Sequence, residues 1–431
     1  MTGDEAPPQL SRRELLRATT AAGVVGTGVA MGRLGDKNDH DTPAKLADRA
    51  EPREYEEFAV HRVPEAYETI QDAVEAASPR DLVLVGPGRY HEEVTVSETE
   101  KLTIRGTDRN EVVLDGEGTR HNGITATADG VVIENLTAMN YTYNGVYWTG
   151  VNGYRGSYLT AANNGEYGVY AFDSVNGLFE HSYAAGHPDS GFYIGQCNPC
   201  HARIEQVTAE RNGLGYSGTN AGGDLVIRNS VWKRNMGGIV PNTLDSEKLA
   251  PQAATRIENN EVRSNNNQDA PAKAFAYAAY GTGIGIAGGH DNEVLNNNVS
   301  NHANYGIAAI PMVDSSIWQP AGNLIERNHV QESGRADLAL GSPNDGGNRF
   351  KNNSVSSSRP SWLHSDGMLA SVFGSTGDPW VTLSQGLLYL QTELGEFPHG
   401  DWLGGPDPPE QPSMDDPERP PREAVGPRGD Q

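Results

Sequence analysis

Apolar residues recur along the middle of this chain in a repeat of about 23 residues. Each repeat holds a glycine followed by an apolar residue, and successive glycines from Gly123 to Gly238 are 22, 23, 23, 24 and 23 residues apart. The first six pairs are Gly123-Ile124, Gly145-Val146, Gly168-Val169, Gly191-Phe192, Gly215-Tyr216 and Gly238-Ile239. The pattern resumes at Gly283-Ile284 and Gly306-Ile307 and again at Asp337-Leu338. Repetition at a fixed short period is typical of a solenoid.

A second apolar segment lies midway through each repeat. In Val132-Ile133-Glu134-Asn135 and Arg256-Ile257-Glu258-Asn259, an inward apolar residue stands beside an outward charged one, which is the pattern of a half-buried strand. A unit of 23 residues accommodates three short strands and three turns, and copies stacked about 4.8 Å apart form parallel sheets. The chain is therefore predicted to be all-β, a parallel solenoid of about ten coils.

Asparagine recurs one step after the second strand in the later coils. The positions are Asn260, Asn297, Asn328 and Asn353. An asparagine at the same turn of successive coils can hydrogen-bond its neighbours above and below and tolerates the left-handed backbone of a tight turn. We expect these four side chains to form a ladder.

The repeat divides the chain into five predicted segments. They are a signal peptide at 1–31, a linker at 32–58, the solenoid at 59–360, an irregular C-terminal cap at 361–403 and a disordered, Pro-rich acidic tail at 404–431. The tail assignment rests on eight of the chain's 26 prolines, which lie between 406 and 431 without an apolar pattern.

The N-terminus resembles a twin-arginine export signal. Arg12-Arg13 is followed by Leu15-Leu16 and by a weakly apolar stretch, Ala18 to Met31, which is too short to span a membrane. We therefore expect export by the twin-arginine route to the cell surface or the extracellular space, and no membrane span in the mature protein.

An amphipathic helix precedes the first coils. Between Tyr67 and Ala77 the apolar residues Ile70, Ala73 and Val74 share one face, and Thr69 with Asp72 resembles a capping box. Because an open stack of parallel strands exposes its edges, we expect this helix to cap the N-terminal end.

Charge narrows the possible partners. Asp and Glu number 57 against 33 Lys and Arg, only seven of these 33 are Lys, and the formal net charge is −24. Such a charge repels phosphate and argues against nucleic acid. Concentrated salt screens the self-repulsion, so the composition favours a halophilic protein over an ordinary acidic secreted one. We expect a monomer.

The opening of the repeat resembles a known superfamily. Thr69-Ile70-Gln71-Asp72-Ala73, Gly88-Arg89-Tyr90-His91-Glu92 and Leu114-Asp115-Gly116 are similar to the opening of right-handed parallel β-helix proteins of the pectate-lyase-like superfamily, in particular its NosD-like group. The resemblance implies right-handed winding over about 60–360. Since the superfamily contains lyases, hydrolases, esterases, epimerases and proteins without known activity, it implies no reaction, and no catalytic residue is transferred.

Three tyrosines follow the inward residues of successive repeats. Tyr147, Tyr170 and Tyr193 are spaced 23 and 23 residues apart, so they should stack on the outer surface of one sheet. Exposed aromatic rings in a row suit sugar rings, and we assign these tyrosines as candidate substrate-binding residues. A purely structural ladder of stacked rings is the alternative.

Acid and base candidates flank the same coils. Asp173 follows one strand of this sheet, and His187 and Asp189 precede the next. Glycoside hydrolysis uses two carboxyls about 5 to 9.5 Å apart, whereas a lyase uses a base and a cation. Asp173, His187 and Asp189 are therefore the candidate catalytic residues.

Cys197-Asn198-Pro199-Cys200-His201 contains the chain's two cysteines. In an exported protein a Cys197–Cys200 disulfide is favoured. Covalent haem attachment and a zinc or copper site completed by His187 are the alternatives. No metal site is predicted, and the sequence identifies no cofactor.

These patterns favour an exported protein that binds or cleaves polysaccharide along the tyrosine-bearing sheet, a polysaccharide lyase or glycoside hydrolase if it is an enzyme. The alternative is a non-catalytic, NosD-like surface or maturation scaffold that binds a metal or a partner protein near Cys197.

Overall fold

The protein is a stack of coils in which each coil contributes one strand to each of three parallel sheets. The computed structural model describes residues 51–364, 376–393 and 401–425. The signal peptide and most of the linker predicted from the sequence lie outside these residues. A typical coil runs through Val146–Thr149, Asn152–Ser157 and Thr160–Ala162 before the next begins at Val169–Phe172.

The three sheets, called I, II and III here, account for nearly all strands. Sheet I has twelve strands: Val60–Val63, Leu82–Val85, Thr103–Gly106, Val131–Glu134, Asn152–Ser157, Val175–Glu180, Ala202–Glu205, Gly222–Arg228, Ala253–Glu258, Glu293–Leu295, Leu324–Glu326 and Arg349–Lys351. Sheet II has eleven: Val94–Val96, Ile124–Ala126, Val146–Thr149, Val169–Phe172, Ser190–Gly195, Leu214–Thr219, Gly237–Asn242, Thr282–Ala287, Tyr305–Ile310, Ala336–Leu340 and Ser358–Arg359. Sheet III has ten: Gly88–Tyr90, Val112–Asp115, Thr137–Met139, Thr160–Ala162, Tyr183–Ala185, Thr208–Glu210, Val231–Lys233, Glu261–Arg263, Asn298–His302 and His329–Ser333. Met312–Val313 and Ile317–Trp318 form a small antiparallel pair.

The predicted register is confirmed. The apolar residues of the repeat pair with one another along sheet II and are buried, in the order Ile124, Val146, Val169, Phe192, Tyr216, Ile239, Ile284, Ile307 and Leu338. The glycine that precedes each of these apolar residues is required because neighbouring coils pack closely at that position. A Cβ atom on Gly168 would lie 2.6 Å from the carbonyl oxygen of Gly191 and 2.8 Å from the ring of His187.

The predicted asparagine ladder is also present. The side-chain amide of Asn260 donates to Oδ1 of Asn297 at 3.0 Å, and the same contact links Asn297 to Asn328 and Asn328 to Asn353. Each Oδ1 atom also accepts a backbone N–H from the preceding coil, so these buried amides have partners.

A short helix, Ile70–Ala76, precedes the first full coils as the sequence indicates. Thr69 Oγ1 accepts the N–H of Asp72 at 3.0 Å, and the carboxylate of Glu92 accepts the N–H groups of Ile70 and Gln71. Ile70, Ala73 and Val74 are buried within the core. Its role as an end cap and the count of about ten coils stay predictions.

The C-terminal part of the chain differs from the expectation of an irregular cap and a disordered tail. Pro379–Glu393 is an α-helix that packs over Tyr305 and Ala308 on sheet II, and a 3-10 helix spans Ser361–His364. Residues 365–375, 394–400 and 426–431 lie outside the described part. No helix among the described residues is long and apolar enough to cross a membrane.

Residues 401–425, called the strap here, return to the N-terminal coils. Arg105 donates to the carbonyl oxygen of Pro417 at 2.9 Å, and Arg109 donates to that of Pro412 at 3.1 Å. Met414 is buried. Proline supplies no N–H, so a Pro-rich segment forms little secondary structure of its own, and here arginines of the solenoid bind its carbonyl groups.

Candidate functional site

Side chains along each strand of sheet II point alternately into the core and out of it, and the outward ones form a row across neighbouring coils. Tyr147 pairs with Tyr170, and Tyr170 pairs with Tyr193, as predicted. Towards the N-terminus the row continues through Thr125 and Thr95. Four intervals of about 4.8 Å give a row about 19 Å long from Thr95 to Tyr193.

The first two tyrosines form a flat aromatic surface. The ring centroids of Tyr147 and Tyr170 lie 4.6 Å apart with an angle of 10° between the planes. Tyr167 stacks on Tyr170 at 4.3 Å and 15°. All three rings are half-buried, which leaves part of each accessible. The outward side chains of Thr95, Thr125, Tyr147 and Tyr170 are called the open face below.

Tyr193 is not part of the open face, which corrects the expectation that all three tyrosines are exposed. Its relative exposure is 2%, and its ring meets Tyr170 edge-on at 4.9 Å and 75°. Its hydroxyl donates a hydrogen bond to the carboxylate of Glu247, a residue of the long connection that follows strand Gly237–Asn242. The extra length of that connection folds back over the sheet and covers the ring.

Two inserted segments cover the outer surface of sheet II, one from the C-terminal ends of its strands and the other from their N-terminal ends. Segment 243–252 leaves the end of strand Gly237–Asn242 and is held by Asn220, whose side-chain amide donates to the carbonyl oxygens of Leu244, Glu247 and Lys248. It reaches back to Gln196, whose Oε1 accepts the N–H of Lys248 at 3.1 Å.

Segment 264–281 approaches sheet II from the N-terminal ends of its strands. Its Ala270, Ala272, Ala276 and Tyr277 are buried with Leu214, Met236 and Val240. The N–H of Lys273 donates to the carbonyl oxygen of Pro188 at 2.9 Å, which brings the Lys273 side chain beside the tyrosines. Beyond Tyr193, therefore, the outer surface of sheet II is occupied by the chain itself, and helix Pro379–Glu393 continues the cover.

An ionic cluster lies where segment 264–281 meets the tyrosines. Glu166 and Asp189 occupy equivalent positions one coil apart, two residues before the repeat glycines. Lys273 Nζ contacts Glu166 Oε2 and lies 3.6 Å from Asp189 Oδ2. It also lies 6.0 Å from the centre of the Tyr167 ring.

Asp189 is the most deeply buried acid of this cluster. Its side chain is 5% exposed, and Oδ1 has no hydrogen-bond partner among the described residues. Burial raises the pKa of Asp189 to about 7, a hydrogen bond from Tyr167 lowers it, and the charge of Glu247 raises it. The nearby ammonium of Lys273 opposes the rise because it stabilises the carboxylate.

Glu247 is the second carboxyl with an unusual environment. Burial raises the pKa of Glu247 to about 7, against the effect of the hydrogen bond from Tyr193. Its Oε2 atom is buried without a hydrogen-bond partner among the described residues. Glu247 and Asp189 both raise the pKa of Tyr170 and of Tyr193 through their charge.

His187 lies inside the coil rather than at this cluster. Its ring is fully buried, with Nδ1 2.8 Å from Asn212 Oδ1 and Nε2 3.2 Å from Asn164 Nδ2. Burial lowers the pKa of His187 to about 4, so the ring is neutral. The structure thus separates this candidate from the other two and places it in an internal stack of amides.

Asp173 and Asp189 are not brought together either. Asp173 is exposed after strand Val169–Phe172, and its N–H donates to the carbonyl oxygen of Gly195. Asp189 lies before the first residue of strand Ser190–Gly195, whereas Asp173 lies beside the last. The length of this strand, about 20 Å, therefore separates the two residues. That exceeds the carboxyl separation of a glycosidase.

The cysteine motif lies in the turn after strand Ser190–Gly195. Cys197 and Cys200 form a disulfide, and the neighbouring His201 Nδ1 lies 2.8 Å from Asp224 Oδ2. Within the described ranges no group of three or more His, Cys, Asp or Glu side chains is arranged to hold a metal ion.

Sequence reasoning missed Glu166, Glu247 and Lys273. Glu166 carries a signal, because it lies 23 residues before Asp189 and both precede a repeat glycine by two positions. The 45-residue interval between Gly238 and Gly283 marks inserted chain. No pattern within that chain indicates that it folds back over earlier coils, so the positions of Glu247 and Lys273 require the structure.

Comparison with known proteins places the repeat in a described family. The sequence model of the right-handed β-helix region matches residues 94–253 and 144–311, which together cover 94–311, or 218 of the 431 residues. None of the curated proteins compared with this sequence matches it.

Several solved structures are similar at low identity. The A-module of a mannuronan C-5 epimerase from Azotobacter vinelandii is 14% identical, with 67% of this chain and 88% of that chain covered and a TM-score of 0.34. The DFA-IIIase of Arthrobacter chlorophenolicus without its lid is 9% identical, with 68% and 94% covered and a TM-score of 0.49. An alginate lyase from Paenibacillus is 13% identical, with 70% and 99% covered and a TM-score of 0.38. Similarities this distant carry no conclusion about activity.

Proposed function

The chain belongs to the right-handed β-helix family, and we propose that it is an exported protein that binds polysaccharide on the open face of sheet II. The observation that carries this proposal is the coplanar stack of Tyr147 and Tyr170 at 4.6 Å and 10°, with both rings partly accessible. Flat aromatic faces bind the C–H surfaces of sugar rings, and the flanking hydroxyls and carboxyls bind sugar hydroxyls.

The surroundings of the stack support ligand binding over a purely structural ladder. A ladder that serves only stability would gain most from complete burial, as Tyr193 does behind Glu247. Tyr147 and Tyr170 instead remain half-buried beside Thr125, with part of each ring accessible, while inserted segments cover the sheet further along.

Screening of immobilised polysaccharides with the folded protein tests this proposal. We expect retention on at least one polysaccharide and a rise in melting temperature when the same polysaccharide is added in solution. Failure to bind any member of a panel of neutral and acidic glycans, in both dilute and molar salt, would contradict it.

Export is proposed from the sequence. The Arg12-Arg13 signal at 1–31, which lies outside the described residues, is proposed to direct twin-arginine export to the surface or the extracellular space. The Cys197–Cys200 disulfide is consistent with an oxidising destination. The net charge of −24 supports a halophilic protein, whose melting temperature should rise between dilute and molar KCl.

The alternative of a NosD-like scaffold with a metal near Cys197 has less support. The two thiols are bonded to each other, so they are not available as thiolate ligands in the oxidised protein. Metal analysis of the reduced protein tests this alternative, which requires a stoichiometric ion bound through the cysteines.

A further inference from the structure

The central tyrosine of the aromatic column on sheet II is covered on both ring faces. Tyr147 and Tyr170 are parallel within 10° and their centres are 4.6 Å apart, so they overlap face to face, because two rings side by side in one plane would collide at that distance. Tyr167 is parallel to Tyr170 within 15° at 4.3 Å. Two rings cannot stack on the same face, so Tyr167 covers the face of Tyr170 that is turned away from Tyr147.

Tyr147, in contrast, has one free ring face, which is turned towards the preceding coil. Tyr170 belongs to the following coil and covers Tyr147 from that side. On the other side the row continues with Thr125, whose side chain is much smaller than a ring. Among the described residues no other aromatic ring contacts Tyr147. Tyr147 and Thr125 are both half-buried, so solvent reaches the space over Thr125 beside this face, which is called the Thr125 step below.

A neighbouring position on the same two coils shows the chain filling the equivalent space with a ring of its own. His121 and Tyr143 lie four residues before Thr125 and Tyr147, respectively, and their rings stack at 5.2 Å and 19°. The backbone N–H of Tyr143 donates to the carbonyl oxygen of His121 at 2.9 Å, which holds the two coils together at this position. A ring from the preceding coil thus covers Tyr143, whereas Tyr147 lacks such a ring.

We propose that one neutral sugar ring stacks on the free face of Tyr147 in the Thr125 step and extends the aromatic column by one ring. The inference rests on the proposed function and gives it a defined subsite. The C–H groups of the sugar face contact the aromatic ring. Links at equatorial positions leave a sugar ring close to its mean plane, so a glycan bound in this way crosses the row in the strand direction and does not run along the row over the edges of the tyrosines.

Hydroxyl groups surround the Thr125 step. Thr125 and Thr127 lie on the outer side of one coil, since residues two apart share a face of a strand, and Thr95 occupies the same row in the coil before. A threonine hydroxyl both donates and accepts hydrogen bonds, which is what the hydroxyls of a sugar require. The step therefore combines an aromatic face with a polar rim.

Charge near the step disfavours an acidic sugar. Glu93, two residues before Thr95, is exposed, and its Oε1 accepts the backbone N–H of His121. A carboxylate there repels the carboxylate of a uronic acid, and the net charge of −24 adds to this repulsion in dilute salt. A neutral sugar places only hydroxyls beside Glu93.

A ring placed in the step by mutation tests the inference. The test uses the full-length protein and a neutral polysaccharide that the wild type binds, with affinity measured by calorimetry and folding by melting temperature. Thr125→Tyr puts a ring against the free face of Tyr147. Thr95→Tyr puts a ring two intervals, or about 9.6 Å, from Tyr147 and leaves the space between them open. Thr208→Tyr, at a half-buried threonine of sheet III, is the matched control.

We expect Thr125→Tyr to lose about tenfold or more in affinity, because the added ring takes the place of the sugar. Thr95→Tyr should bind about threefold or more tightly than wild type, because the sugar then lies between two rings. Thr208→Tyr should bind like wild type, and all three melting temperatures should stay close to that of wild type.

Proton NMR of an oligosaccharide bound to the wild type gives a second measurement, which decides the question if Thr125→Tyr does not fold. The ring current of an aromatic side chain shifts protons over its face upfield and protons at its edge downfield. We expect upfield shifts of the C–H protons of one sugar ring.

The other outcomes overturn defined parts of the inference. Equal or higher affinity in Thr125→Tyr, or downfield shifts in the bound sugar, overturns stacking in the step and leaves the proposed function intact, because the glycan still binds. Changes of the same sign in Thr125→Tyr and Thr95→Tyr overturn it as well, since a chain that runs along the row would meet both added rings in the same way. Binding confined to acidic glycans overturns the neutral sugar class. Absence of binding to any glycan overturns the proposed function itself.

Discussion

His187 Nδ1 lies 2.8 Å from Oδ1 of Asn212, inside the turn where each coil passes from sheet III to sheet II. The contact is one link of a stack that runs through equivalent turns of six coils. Its members are Asn164, His187, Asn212, Asn235, Asn265 and His302. A residue that appeared catalytic from its neighbours in sequence is thus a structural substitute for asparagine.

His187→Ala should destabilise the protein without affecting glycan binding. The substitution removes the ring contacts to Asn164 and Asn212, whose atoms each keep one other partner, and leaves a buried cavity, so we expect the free energy of unfolding to fall by about 1–3 kcal/mol. His187→Asn, which restores the residue type of the neighbouring coils, should recover part of the loss. Urea unfolding checks both variants. Normal stability with lost binding or activity in His187→Ala would contradict the structural role.

Deletion of residues 404–431, which include most of the strap, should destabilise the N-terminal coils. The deletion takes away the carbonyl groups that Arg105 and Arg109 bind and exposes the site of Met414. Both guanidinium groups are buried, so the loss should amount to about 1–3 kcal/mol or more. Thermal unfolding and limited proteolysis measure it.

Deletion of residues 426–431 alone is the control for the strap, because every contact named above is retained. Its melting temperature should equal that of the full chain. An unchanged melting temperature in the 404–431 deletion would show that the strap contributes nothing to stability.

Asp189 should give the protein a pH dependence opposite to that of an ordinary salt-bridged carboxylate. Its pKa is about 7 when folded against an ordinary value of 3.8, so between these values the folded state holds a proton that the unfolded chain has lost. The stability from this proton is fully present below about pH 4 and is lost as the pH rises through about 7.

Asp189→Asn removes that titration. The free energy of unfolding of the variant, relative to wild type, should therefore rise between pH 4 and pH 8, by up to about 4 kcal/mol, because the folded and ordinary pKa values differ by about three units at about 1.4 kcal/mol each. Denaturant unfolding at several pH values measures the change, with Glu332→Gln, at an exposed carboxyl on sheet III, as the control. A difference that is constant across this range would mean that Asp189 titrates normally.

The sequence was sufficient for the fold because each coil is built from local signals that repeat. The glycine before Val169 is needed where the next coil approaches, and the apolar residue that follows fills the core, so the 23-residue spacing predicts the register directly. The ladder from Asn260 to Asn353 follows from the same periodicity.

The candidate site was only half predictable. Tyr147 and Tyr170 belong to the repeat, so their stacking follows from their spacing. Glu247 and Lys273 belong to inserted chain, whose position depends on long-range contacts with Asn220, Gln196 and Pro188. The same is true of the strap, where composition predicts disorder but buried arginines bind the backbone.

The affinity of Tyr147→Ala/Tyr170→Ala for a polysaccharide that wild type binds tests the central claim most directly. Calorimetric titration should show a loss of about 1–3 kcal/mol, or about tenfold to a hundredfold, because the double variant removes both stacked rings. Tyr158→Ala, which removes a ring stacked on His181 outside sheet II, should bind like wild type. Equal affinity of the double variant and wild type would contradict binding on the open face.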